Sequence, residues 1–119
     1  MAAVNLPQYN VDTGQTTVSG LSSGGFMANQ LGIAYSSVFK GVGVFAAGPY
    51  MCAGLSNYTA CMYNASITST ALVNMQNRID TWSGSQIDNK ANIAGQKVYL
   101  SVGTSATTVG QNPVTALKT

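Results

Sequence analysis

Five residues, Gly20-Leu21-Ser22-Ser23-Gly24, constrain this chain more than any other stretch. They follow a β-prone run, Thr16-Thr17-Val18-Ser19, and precede a helix-prone one from Phe26 to Tyr35. G-x-S-x-G between a strand and a helix is the pattern of a sharp turn that lifts its serine above the carboxyl end of the strand. Glycines beside the serine suit a strained backbone and a close approach of neighbouring chain, where a Cβ would clash. Ser22 is therefore expected to be a nucleophile on the turn. The Ser23 N–H, at the start of the helix, is expected to face the position where negative charge develops. The 119 residues include no histidine, so the usual base for such a serine is absent.

The length suits one domain. Only 7% of residues are charged, against about a quarter in ordinary soluble chains. Gly, Ala, Ser, Thr and Asn take their place, which fits a neutral, loop-rich, secreted surface. The net charge of +2 comes from singly scattered basic residues, so nucleic-acid binding has no electrostatic footprint. No apolar run approaches the length of a membrane span, and residues 1–18 contain no apolar leader core. Cys52 and Cys61 lack C-x-x-C spacing, and without histidine a metal site has few ligands, so neither a metal nor a cofactor is expected. A disulfide closing a short loop is the reading preferred over two free thiols. N-glycosylation sequons begin at Asn57 (Asn-Tyr-Thr) and Asn64 (Asn-Ala-Ser). Together with the cysteine pair they point to an oxidising, extracellular compartment.

Along the chain, residues 1–14 read as an extended lead-in and 15–21 as a strand ending at the turn. Residues 24–37 read as a helix with Phe26, Met27, Leu31, Ala34 and Tyr35 as its apolar positions. Gly25 and Gly32 weaken that helix, and close packing on a sheet would account for them. The apolar run 41–47 reads as a strand buried on both faces, and 50–64 as an irregular loop closed by the cysteines. Residues from Ser69 to Trp82 read as a helix with Leu72, Val73, Met75, Ile79 and Trp82 as its stripe. Residues 97–103 read as a third buried strand, and 113–118 as the start of another helix. The expected fold is α/β: a three-stranded parallel β-α-β-α-β core over residues 1–119 with both sheet edges open. Open edges imply dimerisation or aggregation.

Two long stretches, Thr17-Val-Ser-Gly-Leu-Ser-Ser-Gly-Gly-Phe-Met-Ala and Phe39-Lys-Gly-Val-Gly-Val-Phe-Ala-Ala-Gly-Pro-Tyr50, resemble extracellular polyhydroxybutyrate (PHB) depolymerases. The similarity is greatest to the fungal single-domain type, a circularly permuted α/β-hydrolase. It continues through Cys52, Cys61-Met62-Tyr63-Asn64, Trp82-Ser83-Gly84 and Val98-Tyr99-Leu100 to Thr107-Thr108-Val109-Gly110. It covers nearly all of this chain and about the first third to half of a family member, which makes the chain a single incomplete α/β-hydrolase-like domain. The resemblance implies Ser22 as nucleophile, the Ser23 N–H as one oxyanion donor, and a polyester or short-chain ester as substrate. The family acid lies in a segment reading S-D-T-T-V-G. Here the segment is Ser105-Ala106-Thr107-Thr108-Val109-Gly110, so Ala106 stands in the aspartate's place. The family histidine falls past Thr119.

Asp80 and Asp88 are poor stand-ins for the acid, because both fall on or just after the second helix. Tyr50, just past the second strand, is the candidate for lining an ester-binding cleft, ahead of Tyr58, Tyr63 and Trp82. Ala106 is read either as a knock-out of the acid or as a divergent gene product. Three functional readings follow. The chain is part of a secreted serine esterase and inactive alone, or a non-catalytic remnant or binding module, or one part of a split assembly.

Overall fold

The computed structural model describes residues 2–55 and 57–119; Met1 and Ser56 lie outside the described residues. A single 3-10 turn at Thr13–Gln15 leads into strand β1, Thr17–Leu21. Helix α1, Ser23–Ala34, connects β1 to β2, Gly41–Phe45. A short helix α2, Cys52–Leu55, and a 3-10 turn at Tyr58–Cys61 precede the long helix α3, Ser69–Trp82. A 3-10 turn at Lys90–Gly95 leads to β3, Lys97–Ser101, and the last element is α4, Gln111–Lys118. The strands form one parallel sheet in the order β1-β2-β3. Register runs from Thr17, Gly41 and Lys97 at the amino ends to Leu21, Phe45 and Ser101 at the carboxyl ends. Among the described residues β1 and β3 each pair with β2 alone, so both edges are open, as expected.

Successive side chains on a strand point to opposite faces. On one face lie Val18, Val42 and Val98 in one row, with Gly20, Val44 and Leu100 in the next. Val42, Val44, Ala28 and Ala47 are buried there, with Val18, Phe26, Leu100 and Leu117 packed around them. The opposite face carries Leu21, Phe45 and Tyr99, which are exposed, and the Phe45 and Tyr99 rings stack at a tilt 5.7 Å apart. The expectation that β2 is buried on both faces is therefore corrected. The Gly-Val-Gly-Val run counts as apolar throughout, yet glycine contributes no side chain. The run is an alternation with valines on one face only. β3 is likewise no buried strand: Val98 and Tyr99 are more than half exposed, because the strand lies at the edge and ends at Ser101.

α1 also differs from its sequence pattern. Its buried residues are Gly25, Ala28, Asn29 and Gly32, while Met27 and Tyr35 are exposed. Closeness selects this face. A Cβ on Gly25 would lie 2.9 Å from Ala47 Cβ, and one on Gly32 2.4 Å from Val42 Cγ2. The helix packs on the sheet through its smallest residues, as the two glycines suggested. It ends at Ala34, earlier than 37, where Asp88 N–H donates to Ala34 O at 2.9 Å.

α3 matches its expected bounds. Thr68 caps it by accepting from Ala71 N–H at 3.1 Å, satisfying one of the donors that a helix start leaves unpaired. Met75 and Ile79 are buried, whereas Val73 faces outwards. Met75 joins Cys52 and Cys61 in a second core cluster, with Phe26, Leu72 and Ile67 packed against it. The region expected to be an irregular loop thus holds two short helical turns. Cys52 and Cys61 are disulfide-bonded with a Cα separation of 6.1 Å. Among the described residues no helix is long and apolar enough to cross a membrane.

The disulfide sits in the second core cluster and closes a ring of nine residues' separation. By loop closure it stabilises the fold by roughly 2–3 kcal/mol. The double variant Cys52→Ala/Cys61→Ala is expected to lose at least that much in urea unfolding. An unchanged midpoint would show that the ring is not part of the cooperative unit.

Candidate active site

The site begins at a one-residue turn. Leu21 is the last residue of β1 and Ser23 the first of α1. Ser22 alone reverses the chain, with φ 56° and ψ −121°. This is the left-handed half of backbone space, where a side chain costs about 1–3 kcal/mol unless the surroundings enforce it. Two hydrogen bonds do so: Ser22 N–H donates to Phe45 O at 2.9 Å, and Phe26 N–H donates to Ser22 O at 3.0 Å. The Ser22 side chain does not cap α1 and is half-buried, so its hydroxyl stays available at the carboxyl end of the sheet. Ser23 opens the helix, where N–H groups lack intrahelical partners and the helix dipole favours negative charge.

The glycines of the motif divide unequally. A Cβ on Gly20 would sit 2.1 Å from Gly24 O, so only glycine fits. A Cβ on Gly24 would meet nothing within 4 Å. The second steric requirement falls on Gly25, one position later, where a Cβ would come within 3.0 Å of both Gly20 O and Ala47 Cβ. The expectation that both glycines flanking the serine avoid a clash therefore holds for Gly20 and is corrected for Gly24.

Residues that sequence reasoning passed over fix the neighbouring loop. Asn29 is 7% exposed and donates from Nδ2 to Gly48 O at 3.3 Å. Gln30 Oε1 accepts from Met51 N–H at 2.8 Å. Together they tie residues 46–51, including the left-handed Ala46 and Met51, to α1 beside the turn. The available signal was two adjacent amides on a helix whose partner loop is otherwise apolar.

Tyr50 lies in this loop but is 4% exposed. It lines an apolar groove of about 560 Å³ together with Ile33, Pro49, Leu72, Met75 and Leu117. Burial pushes its hydroxyl pKa above the usual value, and the Arg78 charge pulls it partly back. Ser22 and Ser23 do not line that groove, so the structure does not bring Tyr50 and the serines together in one cavity. Tyr58, in the disulfide ring, and Tyr63, just past it, are exposed, and Trp82 packs beneath the Arg78 guanidinium at 5.0 Å. Ala106 lies in the loop that leaves β3 at the same carboxyl edge as Ser22, and its N–H donates to Gly103 O at 3.1 Å. Only β2 stands between β1 and β3, so the two loops leave the sheet about 10 Å apart.

Asp80 and Asp88 belong elsewhere. Asp80 pairs with Lys90 at 2.7 Å and accepts from Gln76 at 3.1 Å, bonds that lower its pKa. Asp88 accepts from Ser37 Oγ at 2.5 Å and Ser37 N–H at 3.0 Å, and these lower its pKa as well. Ser37 follows the far end of α1, so Asp88 is about 18 Å of helix away from Ser22. Among the described residues no three His, Cys, Asp or Glu side chains cluster as metal ligands. Asn57 and Asn64, the two sequon residues, are both exposed. Asn57 caps its 3-10 turn by accepting from Ala60 N–H, and Asn64 accepts from Asn112 N–H at 2.8 Å.

No family model matches the chain. Individual relatives do. A polyhydroxybutyrate depolymerase of Talaromyces funiculosus is 53% identical over 99% of this chain and 34% of its own length. A poly(3-hydroxybutyrate) depolymerase of Delftia acidovorans is 50% identical over 99% of this chain and 24% of its own. Two solved structures superpose with a TM-score of 0.86 over 97% of this chain and 36% of theirs. One is a PHB depolymerase from Penicillium funiculosum, 50% identical. The other, 49% identical, is a serine-to-alanine variant of a PHB depolymerase complexed with R3HB trimer. The chain thus spans about a third of the length of most of these proteins, and its fold is part of an α/β-hydrolase-like one.

Two outcomes test this geometry. Gly20→Ala is expected to destabilise the fold by more than about 3 kcal/mol in urea unfolding. Gly24→Ala is expected to stay within about 0.5 kcal/mol of the parent, since Ala also favours the helix start; equal costs would contradict the packing described. The second outcome concerns Asp88. Its folded pKa lies below the ordinary carboxylate value, so its contribution is present above that value and is lost as pH falls through the folded pKa. Asp88→Asn should therefore lower the urea midpoint at pH 7, and the difference from the parent should vanish in acid below the usual carboxylate range. A pH-independent difference would remove the carboxylate from the explanation.

Proposed function

We propose that this chain, homologous to polyhydroxybutyrate depolymerases over about a third of their length, is the nucleophile-bearing part of a secreted serine esterase acting on short-chain 3-hydroxyalkanoate esters. The observation that carries the reading is the Ser22 turn. A serine in left-handed backbone, pinned to Phe45 O between a parallel strand and a helix start, is the geometry an acyl-transfer nucleophile requires.

In this reading Ser22 Oγ attacks the ester carbonyl carbon and its proton passes to a base. The tetrahedral oxyanion is held by the Ser23 N–H with help from the α1 dipole. Collapse expels the alcohol, which takes the proton held by the base. Water, giving a proton to the same base, then attacks the acyl-serine, and that proton returns to Ser22 Oγ as the acid leaves. The chain supplies the first and third of these parts and lacks the base. No histidine occurs in the 119 residues, and Ala106 stands at the carboxyl edge where an acid would orient one. Loss of triad members costs orders of magnitude in rate. The chain by itself is therefore inactive, and turnover needs a histidine and an acid supplied by other polypeptide.

In this reading Tyr50 remains the candidate for lining the ester-binding cleft; it is 4% exposed and lines a groove apart from Ser22 and Ser23. The exposed sequon residues Asn57, inside the disulfide ring, and Asn64, three residues after it, are sites of glycosylation in this reading, which accords with secretion. The uncovered sheet face around Leu21, Phe45 and Tyr99 and the open edges favour self-association of the isolated chain. A second reading, a non-catalytic remnant, is favoured by Ala106 alone.

Hydrolysis of p-nitrophenyl butyrate by the chain and by Ser22→Ala tests the proposal. The expected result is the same background rate for both. When the histidine-bearing portion of a relative is added and the acid is restored in this chain by Ala106→Asp, the form with Ser22 is expected to exceed the same form with Ser22→Ala by at least about a thousandfold. Equal rates in that complemented mixture would refute Ser22 as nucleophile and leave the remnant.

A further inference from the structure

The loop that carries position 106 is held by a residue 42 positions earlier in the chain. Tyr63 N–H donates to Thr108 O at 2.7 Å, and Asn64 N–H donates to Val109 O at 2.8 Å. These bonds lay residues 63–64 alongside 108–109. The Asn64 side chain then closes the joint. Its Oδ1 accepts from Asn112 N–H at 2.8 Å, and its backbone oxygen accepts from Asn112 Nδ2, also at 2.8 Å.

Asn112 is the second residue of α4, one of the donors that a helix start leaves unpaired and that the capping residue normally satisfies. The capping position here is Gly110, which has no side chain to offer. Nor does it have room for one. It adopts φ +87°, and a Cβ there would lie 2.5 Å from Asn64 Cβ. Asn64 thus occupies the space and performs the role of the cap from 48 residues away. It is itself in left-handed backbone, φ 55°, a conformation asparagine tolerates better than most residues. Three residues before it, Cys61 is anchored by the disulfide in the core cluster with Met75. A continuous path therefore runs from α3 through Cys61 and Asn64 to the loop 102–110 and the start of α4.

We infer that Asn64 is a positioning residue: it clamps the 102–110 loop and the start of α4, and so fixes position 106 relative to Ser22. The catalytic meaning of this clamp rests on the esterase reading, since position 106 matters only as the place of an acid. The clamp itself does not depend on that reading. It also gives Asn64 a role independent of its sequon, because Oδ1 is the atom engaged and glycan attachment uses Nδ2.

Amide hydrogen exchange of the full chain, followed by mass spectrometry or NMR, tests the inference without reference to activity. Asn64→Ala is expected to speed exchange at Asn112 and across 108–110 by about tenfold, with α1 and β2 amides within about twofold of the parent. Asn64→Asp keeps the acceptor and abolishes the sequon, and it should retain the parent's protection at Asn112. Ser66→Ala abolishes the sequon with Asn64 intact and removes only the long 3.5 Å bond from Asn112 Nδ2 to Ser66 Oγ, so it should also retain protection at the Asn112 N–H. If Asn64→Ala fails to fold, Asn112→Ala, which removes only the Nδ2 donor, should raise exchange at 108–110 in its place. Unchanged protection of 108–112 in Asn64→Ala would overturn the clamp. So would acceleration spread evenly over all elements, or a failure of Asn64→Asp to rescue. Failure of the esterase reading would appear only in the complemented hydrolysis assay and would leave these exchange rates as expected.

Discussion

The left-handed backbone at Ser22 is the constraint around which the rest of this chain is arranged. Such a residue relaxes into an ordinary turn unless its neighbours prevent it. Here β2 supplies a carbonyl to Ser22 N–H, and the chain on either side is drawn so close that a Cβ on Gly20 would sit 2.1 Å from Gly24 O. That closeness propagates. α1 must leave β1 after a single residue and lie low on the sheet, which forces Gly25 and Gly32 onto its inner face and leaves Met27 outside. Asn29 and Gln30, carried on the same helix, then reach the loop after β2 and hold it against the turn. One strained residue thus sets the helix depth, the composition of the helix face and the path of the next loop.

Shape and chemical competence are separable in this molecule. In the proposed reading, the turn, the helix start and the parallel strands build a place for an alcohol oxygen to attack an acyl group. Deprotonating that oxygen is a different requirement, met in serine hydrolases by a histidine and its orienting acid. The two carboxylates on and just after α3 are committed to structure: Asp88 holds Ser37 beyond the far end of α1, and Asp80 pairs with Lys90. Their lowered pKa values report those hydrogen bonds and not a catalytic role. In the proposed reading Ala106 stands where the acid would be, and its loop is held by the bond from Ala106 N–H to Gly103 O and by those from Tyr63 and Asn64 to Thr108 and Val109.

The sequence was most legible where the physics is local. The strand–turn–helix around Ser22, the Thr68-capped helix Ser69–Trp82 and the parallel order of the strands follow from spacing, capping and punctuation in windows of a few residues. Legibility failed where residue type hides geometry. Glycine in Gly41-Val42-Gly43-Val44 reads as apolar but presents no side chain to a core, so valines on one face read as a strand covered on both. On α1, large apolar residues looked like the core face, whereas interhelix–sheet distance made the small ones the core. The Asn64 cap was out of reach for another reason. It joins residues 48 apart, and locally Asn64-Ala65-Ser66 reads only as a sequon.

The most direct test of the central claim is the intact mass of the chain after exposure to a fluorophosphonate, with Ser22→Ala as the blank. A shaped but unactivated serine predicts that the parent gains no more label than the blank. Rapid, stoichiometric labelling of Ser22 in the chain alone would show that a base for its proton lies within these 119 residues, contradicting the account.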